Sequence, residues 1–206
     1  MRVGKGCQPR AFDVALGQHL QAGDQTQTGA QDRMDTSFSQ RRVDVQIIKW
    51  IGIGVAAIAA LALLAGQLGL LKGTPPGDLG VREGKLKKPS ETANSVSSQA
   101  LLWPGHPQRE YADIAPLALR GDGPATLAKL KNVLQSLPDV TLVDSRADYL
   151  YVQFTTRVMK FVDDAEFWFD PASGMIQLRS SSRVGSRDFG VNRQRIEALR
   201  ERLAAS

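Results

Sequence analysis

The sequence predicts an α+β fold: a four-stranded antiparallel sheet with two helices packed on one face, preceded by a single transmembrane helix and a linker. Three observations predict it. Trp50 to Leu71 is an apolar run with no charged residue. Leu127, Leu130, Leu134 and Leu137 recur at helical spacing, and segments with apolar residues at every second position follow them. Ile196, Leu199 and Leu203 then restore helical spacing near the end of the chain. The organisation that follows is a disordered tail over 1–46, a membrane helix over 47–71, a linker over 72–100 and an α+β domain over 101–206.

The tail, residues 1–33 above all, shows no apolar periodicity, and Met34 offers a second start close to the span. From Trp50 to Leu71 a helix rises about 33 Å, against about 30 Å for a bilayer core. Trp50 suits the headgroup level and Lys49 can snorkel outward. The run has no polar face, unlike a helix of a soluble core. It is longer and starts later than a signal peptide's apolar region, and Gln67 stands where a lipoprotein would need cysteine. Arg41, Arg42 and Lys49 crowd the N-terminal side more closely than Lys72, Arg82, Lys85, Lys87 and Lys88 crowd the other. The expectation is an inner-membrane, single-pass protein with its C-terminal domain in the periplasm. Gly52, Ala56 and Ala60 have the small-residue spacing that permits weak homo-association of the helix.

The net charge of +5 belongs to the first part of the chain. Residues 1–89 hold 12 Lys/Arg and 7 Asp/Glu, whereas residues 90–206 hold 14 of each. A nucleic-acid-binding domain concentrates positive charge on its folded part, so no nucleic acid partner is expected. Cys7 is the single cysteine, which excludes an intramolecular disulfide and a thiolate metal site. His19 and His106 are far apart, without ligand spacing, and His106 reads as an exposed loop residue. No cofactor and no metal are expected.

Residues 72–100 are rich in Gly, Pro, Ser and Lys and read as a tether. Leu101 to Arg120 contains Pro104, Pro107 and Pro116, which favour an extended wrap with short pieces of structure. The first helix opens with Asp122 near the N-cap and Pro124 in its first turn, and closes at Pro138. Strands are expected over 140–144, 149–158, 165–169 and 175–182, and a final helix over about 189–203. Residues 170–174, DPASG, carry strong turn chemistry.

Matching apolar faces predicts Phe167 opposite Leu178 and Phe169 opposite Ile176. Glu166 then faces Arg179 on the other side of the sheet. Pairing Val158 with Ala165 extends this to a row Arg157–Glu166–Arg179, with Tyr151, Trp168 and Arg183 nearby. Such a row is either an exposed ladder contributing about 0.2–1 kcal/mol per pair or a surface for an anionic ligand.

Residues 161–170, FVDDAEFWFD, and 176–200, IQLRSSSRVGSRDFGVNRQRIEALR, are joined upstream by 94–99, NSVSSQ. Together they resemble domain-of-unknown-function family 1499, over roughly residues 88–206. The resemblance implies a bacterial or plastid protein, often membrane-associated, and no established activity. Family members often carry NCVS and another cysteine shortly before it. Here Ser95 and Lys88 stand at those places, so a role for such cysteines cannot operate.

Chemistry is concentrated in Arg179 to Arg195. Ser180, Ser181 and Ser182 lack a nearby base and a nucleophile elbow, which argues against a serine hydrolase. Asp163, Asp164 and Glu166 have no histidine partner for a metal. Residues 90–170 carry 7 positive and 11 negative groups and residues 171–206 carry 7 and 3, so these carboxylates suit ion pairs with the basic end of the chain. Gly185 suits a tight turn and Asp188 a helix N-cap, with Asn192 and Arg193 one turn further on. Arg183, Arg187 and Arg193 near that helix start also suit an anion.

Two functions follow. One is a membrane-tethered, non-catalytic interaction or scaffold domain with the bilayer and envelope proteins as partners. The other is a binder or enzyme for a small anionic ligand, using Arg157, Glu166, Arg179, Arg183 and Arg193.

Overall fold

The computed structural model describes residues 44–205. Of the tail expected over 1–46, only 44–46 fall within them, and these are helical. The chain divides into two compact units, Met1–Ala59 and Ala60–Ser206. Helix α1, Asp44–Gln67, contains the boundary. Its mean hydropathy reaches 2.3 and none of its most apolar window is buried within the protein. By length and composition it can cross a membrane: its 24 residues rise about 36 Å.

The second unit is α+β. Its strands are β1 (Ser95–Ser97), β2 (Val140–Ser145), β3 (Tyr149–Thr155), β4 (Val162–Asp170) and β5 (Met175–Ser182). Its helices are the single turn α2 (Arg109–Ala112), then α3 (Gly123–Gln135) and α4 (Val191–Ala204). All strand pairs are antiparallel, in the order β1-β5-β4-β3-β2. The sheet therefore has five strands, not four. The additional strand comes from the stretch read as a linker. Its three residues, Ser95, Val96 and Ser97, are too few to show a strand pattern, and they pair with β5: Val96, buried in the core, faces Ser180, and Ser97 faces Arg179.

Helix α3 starts where its capping chemistry places it. Asp122 Oδ1 accepts the Ala125 N–H at 2.7 Å, and Pro124 occupies the first turn, where no intrahelical N–H is lost. Leu127, Leu130 and Leu134 of α3 join Ile196, Leu199 and Leu203 of α4 in one core. That core lies on the sheet face formed by Leu150, Val152, Phe154, Ala165, Phe167, Ile176 and Leu178. A Cβ at Gly123 would fall 2.2 Å from the Phe169 ring, so the start of α3 approaches the sheet as closely as a backbone can.

In the β4–β5 hairpin Phe167 faces Leu178, Phe169 faces Ile176 and Glu166 faces Arg179, as apolar matching requires. The β3–β4 pairing differs from expectation. Ala165 faces Val152 rather than Val158, and Tyr151 lies opposite Glu166. Strand β3 ends at Thr155 and the chain turns through residues 156–161, with Lys160 at φ 55°. Alternation continues through Val158 in the sequence, but a hairpin needs residues for its turn. Val158 is exposed as a result.

The opposite sheet face is not open to water. Residues 78–89 run across it as a strap, and Leu86 packs with Tyr149 and Trp168 while Val81 and Tyr151 flank them. Backbone groups of the strap bind sheet side chains: Gly80 N–H donates to Glu166 Oε1 at 2.6 Å, and Arg179 Nε donates to the Lys88 carbonyl at 3.2 Å. Leu86 N–H donates to Gln99 Oε1 at 2.8 Å. With so few large apolar residues, hydrogen bonding rather than hydrophobic patterning holds the strap, and composition alone reads it as loose.

Candidate functional site

Adjacent strand residues point to opposite faces, and this separates Asp163 from Asp164. Asp163 lies on the helix side, where Arg195 of α4 donates Nη2 to Oδ2 at 2.6 Å. Asp164 lies under the strap, gripped by Arg183 through Nε and Nη2, both at 2.7 Å. The Tyr151 hydroxyl adds a hydrogen bond to Asp164 Oδ1 at 2.6 Å. The carboxylate raises the Arg183 pKa, chiefly through that hydrogen bond. Two consecutive acids are thus neutralised by two arginines of the basic C-terminal segment.

At the strand-to-helix joint, Gly185 adopts φ 91° and its carbonyl accepts from Asn94 Nδ2 at 2.6 Å. Gly190, at φ 82°, is the residue at the start of α4. Asp188 lies two residues earlier yet accepts the backbone N–H groups of Gly190 at 3.0 Å and Asn192 at 3.2 Å. Burial opposes its charge, but these donors and the Tyr111 hydroxyl outweigh that and hold its pKa below the ordinary range. Asn192 is fully buried and bonds in several directions. Its Nδ2 donates to Ser182 Oγ at 3.0 Å and Asp188 Oδ2 at 2.8 Å, and its Oδ1 accepts from Ser180 Oγ at 2.5 Å. Ser180 and Ser182 are joined to the helix by this network, and Ser181 on the other face meets Ser90 Oγ at 3.1 Å.

The expected ligand row is only partly assembled. Glu166, Arg179 and Arg183 share the strap-covered face. Arg157 lies in the β3–β4 turn, exposed, with Asp139 at 3.0 Å. Arg193 donates Nη2 to the Tyr111 and Asp113 carbonyls, both at 2.7 Å, on the joint side. His106 was expected in an exposed loop, but its side chain is only 6% exposed. Its Nδ1 accepts the Gln108 N–H, and its Nε2 lies 3.6 Å from Glu91. Neither contact is with a serine.

Glu166 and Arg179 are the two unusual groups. Glu166 is 1% exposed; its Oε1 accepts from the Tyr149 hydroxyl at 2.8 Å and from Gly80, while Oε2 has no hydrogen-bond partner among the described residues. Burial pushes its pKa up, and burial beside it raises that of Tyr149 too. Arg179 is 4% exposed, and burial lowers its pKa. Among the described residues its two Nη atoms have no hydrogen-bond partner, and no carboxylate oxygen lies within 4.0 Å. It lines a cavity of about 310 Å³ together with Lys87, Lys88, Ser181, Arg183 and Thr74.

The other cations there have partners. Lys87 meets Asp78 at 2.5 Å, Lys88 meets Glu91 at 2.5 Å, and Arg183 holds Asp164. Arg179 is left as a buried cation beside a void, an arrangement suited to an anion rather than to nucleophilic chemistry. The lysines of 85–88, KLKK, are the sequence signal for this wall, but they carry it only once the strap is laid over β5.

No curated protein and no solved structure matches the chain. Residues 85–203 match a family described as protein of unknown function (DUF1499). The matched segment contains Arg179, Arg183, Lys87, Lys88 and the whole joint, and it begins in the strap rather than at the first long strand. The chain belongs to the DUF1499 family.

Proposed function

We propose that the protein is a membrane-tethered, non-catalytic domain that binds a small oxyanion in the Arg179 cavity. The observation that carries this is the guanidinium of Arg179, whose Nε donates to the Lys88 carbonyl while its two Nη atoms have no hydrogen-bond partner among the described residues and the side chain lines that cavity. A largely buried cation with unused donors is costly, and a bound anion would lower that cost. The planar guanidinium fork suits two oxygens of one oxyanion. Catalysis is disfavoured because Asp163 and Asp164 are held by arginines and Ser180 is engaged with Asn192. Helix α1 supplies the tether, and the closely placed Arg41, Arg42 and Lys49 favour a domain on the outer side of an inner membrane.

Two measurements test this. Alkaline carbonate should leave the full-length protein in the membrane; extraction would remove the tether from the reading. In detergent, inorganic phosphate at constant ionic strength should raise the melting temperature of the wild type and not of Arg179→Lys. An equal rise in both would place the anion elsewhere.

A second reading, an interaction domain for envelope proteins, is favoured by Phe189. Its ring is 87% exposed and its backbone is held at φ 52°, a conformation that non-glycine residues rarely adopt without a reason. A photocrosslinker at position 189 should capture an envelope protein in cells; no adduct above that of a probe at the exposed position 157 would count against it.

A further inference from the structure

The cavity is tied to the end of the membrane helix by a very short stretch of chain. Thr74 and Pro76 are part of its wall, and the apolar run ends at Leu71. Seven residues of fully extended chain span at most about 25 Å, so the cavity wall at Thr74 lies no further than that from the end of α1 at Gln67. Gly73 lies directly against Arg183 and Val184: a Cβ there would fall 2.7 Å from Arg183 Cβ and 2.9 Å from Val184 Cγ2. Gln67, the last residue of α1, donates Nε2 to the Val158 carbonyl at 2.9 Å.

The parts of the domain that touch this exit have the character of a bilayer-facing edge. Val158 is 58% exposed and Val184 41% exposed. Lys72 precedes Gly73 in the chain, and Arg157 and Lys160 flank Val158. Apolar side chains mixed with basic ones suit a surface that rests on anionic headgroups.

Charge matching narrows the ligand. Lys87, Lys88 and Arg183 each have one carboxylate partner among the described residues, and the carboxyl that most favours the charge of Arg179 is Glu166, opposite it across the β4–β5 hairpin. At most one positive charge is in excess, which suits a monoanion rather than a dianion. A phosphodiester carries one negative charge on two equivalent oxygens, which suits the two free Nη atoms of one fork. The volume of about 310 Å³ is at the small end of ligand pockets, the size of a headgroup rather than of an acyl chain.

We infer that the Arg179 cavity takes the phosphodiester headgroup of an anionic phospholipid from the membrane that α1 crosses. The inference rests on the reading of the cavity as an anion site and of α1 as a tether. The domain would then be a lipid-responsive module, its strap closing over a headgroup drawn from the adjacent leaflet.

The test uses the full chain reconstituted in bilayers of phosphatidylglycerol and phosphatidylcholine in equal amounts, then released and weighed by native mass spectrometry. One phosphatidylglycerol should be retained per chain, at least tenfold over phosphatidylcholine. Arg179→Lys, which keeps the charge and loses the fork, should reduce that retention at least tenfold. Arg202→Ala, exposed on α4 and outside the cavity, should leave it unchanged. In wild type alone, soluble glycerophosphoglycerol, the phosphodiester without acyl chains, should displace the retained lipid, which keeps the test decisive if the Arg179 variant does not fold. Retention of both lipids alike, or of phosphatidylglycerol undiminished in folded Arg179→Lys, would overturn the inference. Binding of soluble phosphate without selective lipid retention would overturn the lipid inference and leave the anion site standing. Binding of neither would overturn both.

Discussion

Arg195 of the last helix and Asp163 of the central strand form a buried ion pair, Nη2 to Oδ2 2.6 Å, with side chains 14% and 7% exposed. The same guanidinium lies 4.5 Å from the centre of the Phe154 ring and donates Nη1 to Asn192 Oδ1 at 2.8 Å. It therefore joins β4, β3 and α4 at one point. Removing one partner strands the other charge away from water. Asp163→Ala should destabilise the domain by about 3–5 kcal/mol, read from urea unfolding. Adding Arg195→Met should recover much of that loss, because an apolar side chain leaves no unpaired charge. A double variant no more stable than Asp163→Ala would show that the pair is not what holds this corner.

Asn192 should be the most sensitive uncharged residue of the joint. Replacing it with Leu, similar in volume, leaves the Ser180 and Ser182 hydroxyls and an Asp188 oxygen short of partners. The expected cost is about 1–3 kcal/mol, with faster amide exchange in the first turn of α4. Unchanged exchange there would assign the helix start to Gly190 and Asp188 alone.

Gly123→Ala tests the close approach of α3 to the sheet. The added methyl meets the root of the Phe169 ring, which cannot swing aside as a flexible chain end could. Overpacking of this kind costs about 1–3 kcal/mol, although alanine is the better helix former. A higher melting temperature for the variant would contradict the observed packing.

Glu166 predicts a definite sign of pH dependence. Burial lifts its pKa above the ordinary 4.5. Below the ordinary value the carboxyl is protonated both folded and unfolded, and no charge is buried. As pH rises through the higher folded value, a carboxylate must form away from water and stability is lost. Glu166→Gln keeps an oxygen to accept from Tyr149 and Gly80 but cannot ionise. The variant should therefore gain stability relative to wild type as pH rises from about 4.5, in paired denaturation curves. A relative gain on acidification instead would mean that pairing, not burial, dominates at Glu166.

Arg157 supplies the contrasting case. Its side chain is 75% exposed and its partner Asp139 lies across a turn. Arg157→Ala should change stability by no more than about 0.5 kcal/mol, measured by thermal unfolding. A larger loss would restore it to the structural row expected from the strand pattern.

How much was legible depended on the kind of signal. The leucines of α3, the closing helix and the β4–β5 register follow from periodicity, because burying one face of an element imposes a repeat that can be counted. Asp122 as a cap follows from local backbone chemistry, whereas Asp163 and Asp164 lie outside the strand expected over 165–169 and take opposite faces because β4 starts at Val162. Arg157 was misplaced because alternation does not mark where a strand yields to a turn. The fifth strand is not legible because Ser95, Val96 and Ser97 are too short a run to show alternation, and they become a strand through the ladder they join.

By itself, then, the sequence determined an apolar span, an antiparallel α+β domain, the apolar sheet face and the pairing of Glu166 with Arg179. Tertiary structure decided that residues 78–89 cover the other face, that Lys87 and Lys88 wall the cavity, and that among the described residues no carboxylate oxygen comes within 4.0 Å of Arg179. The physical reason is that hydrophobic burial writes a repeating pattern along the chain. Backbone-to-side-chain bonds such as Gly80 to Glu166, 86 residues apart, leave none. Charge balance around a cavity is likewise set by which side chains meet in space, and that exists only in the folded protein.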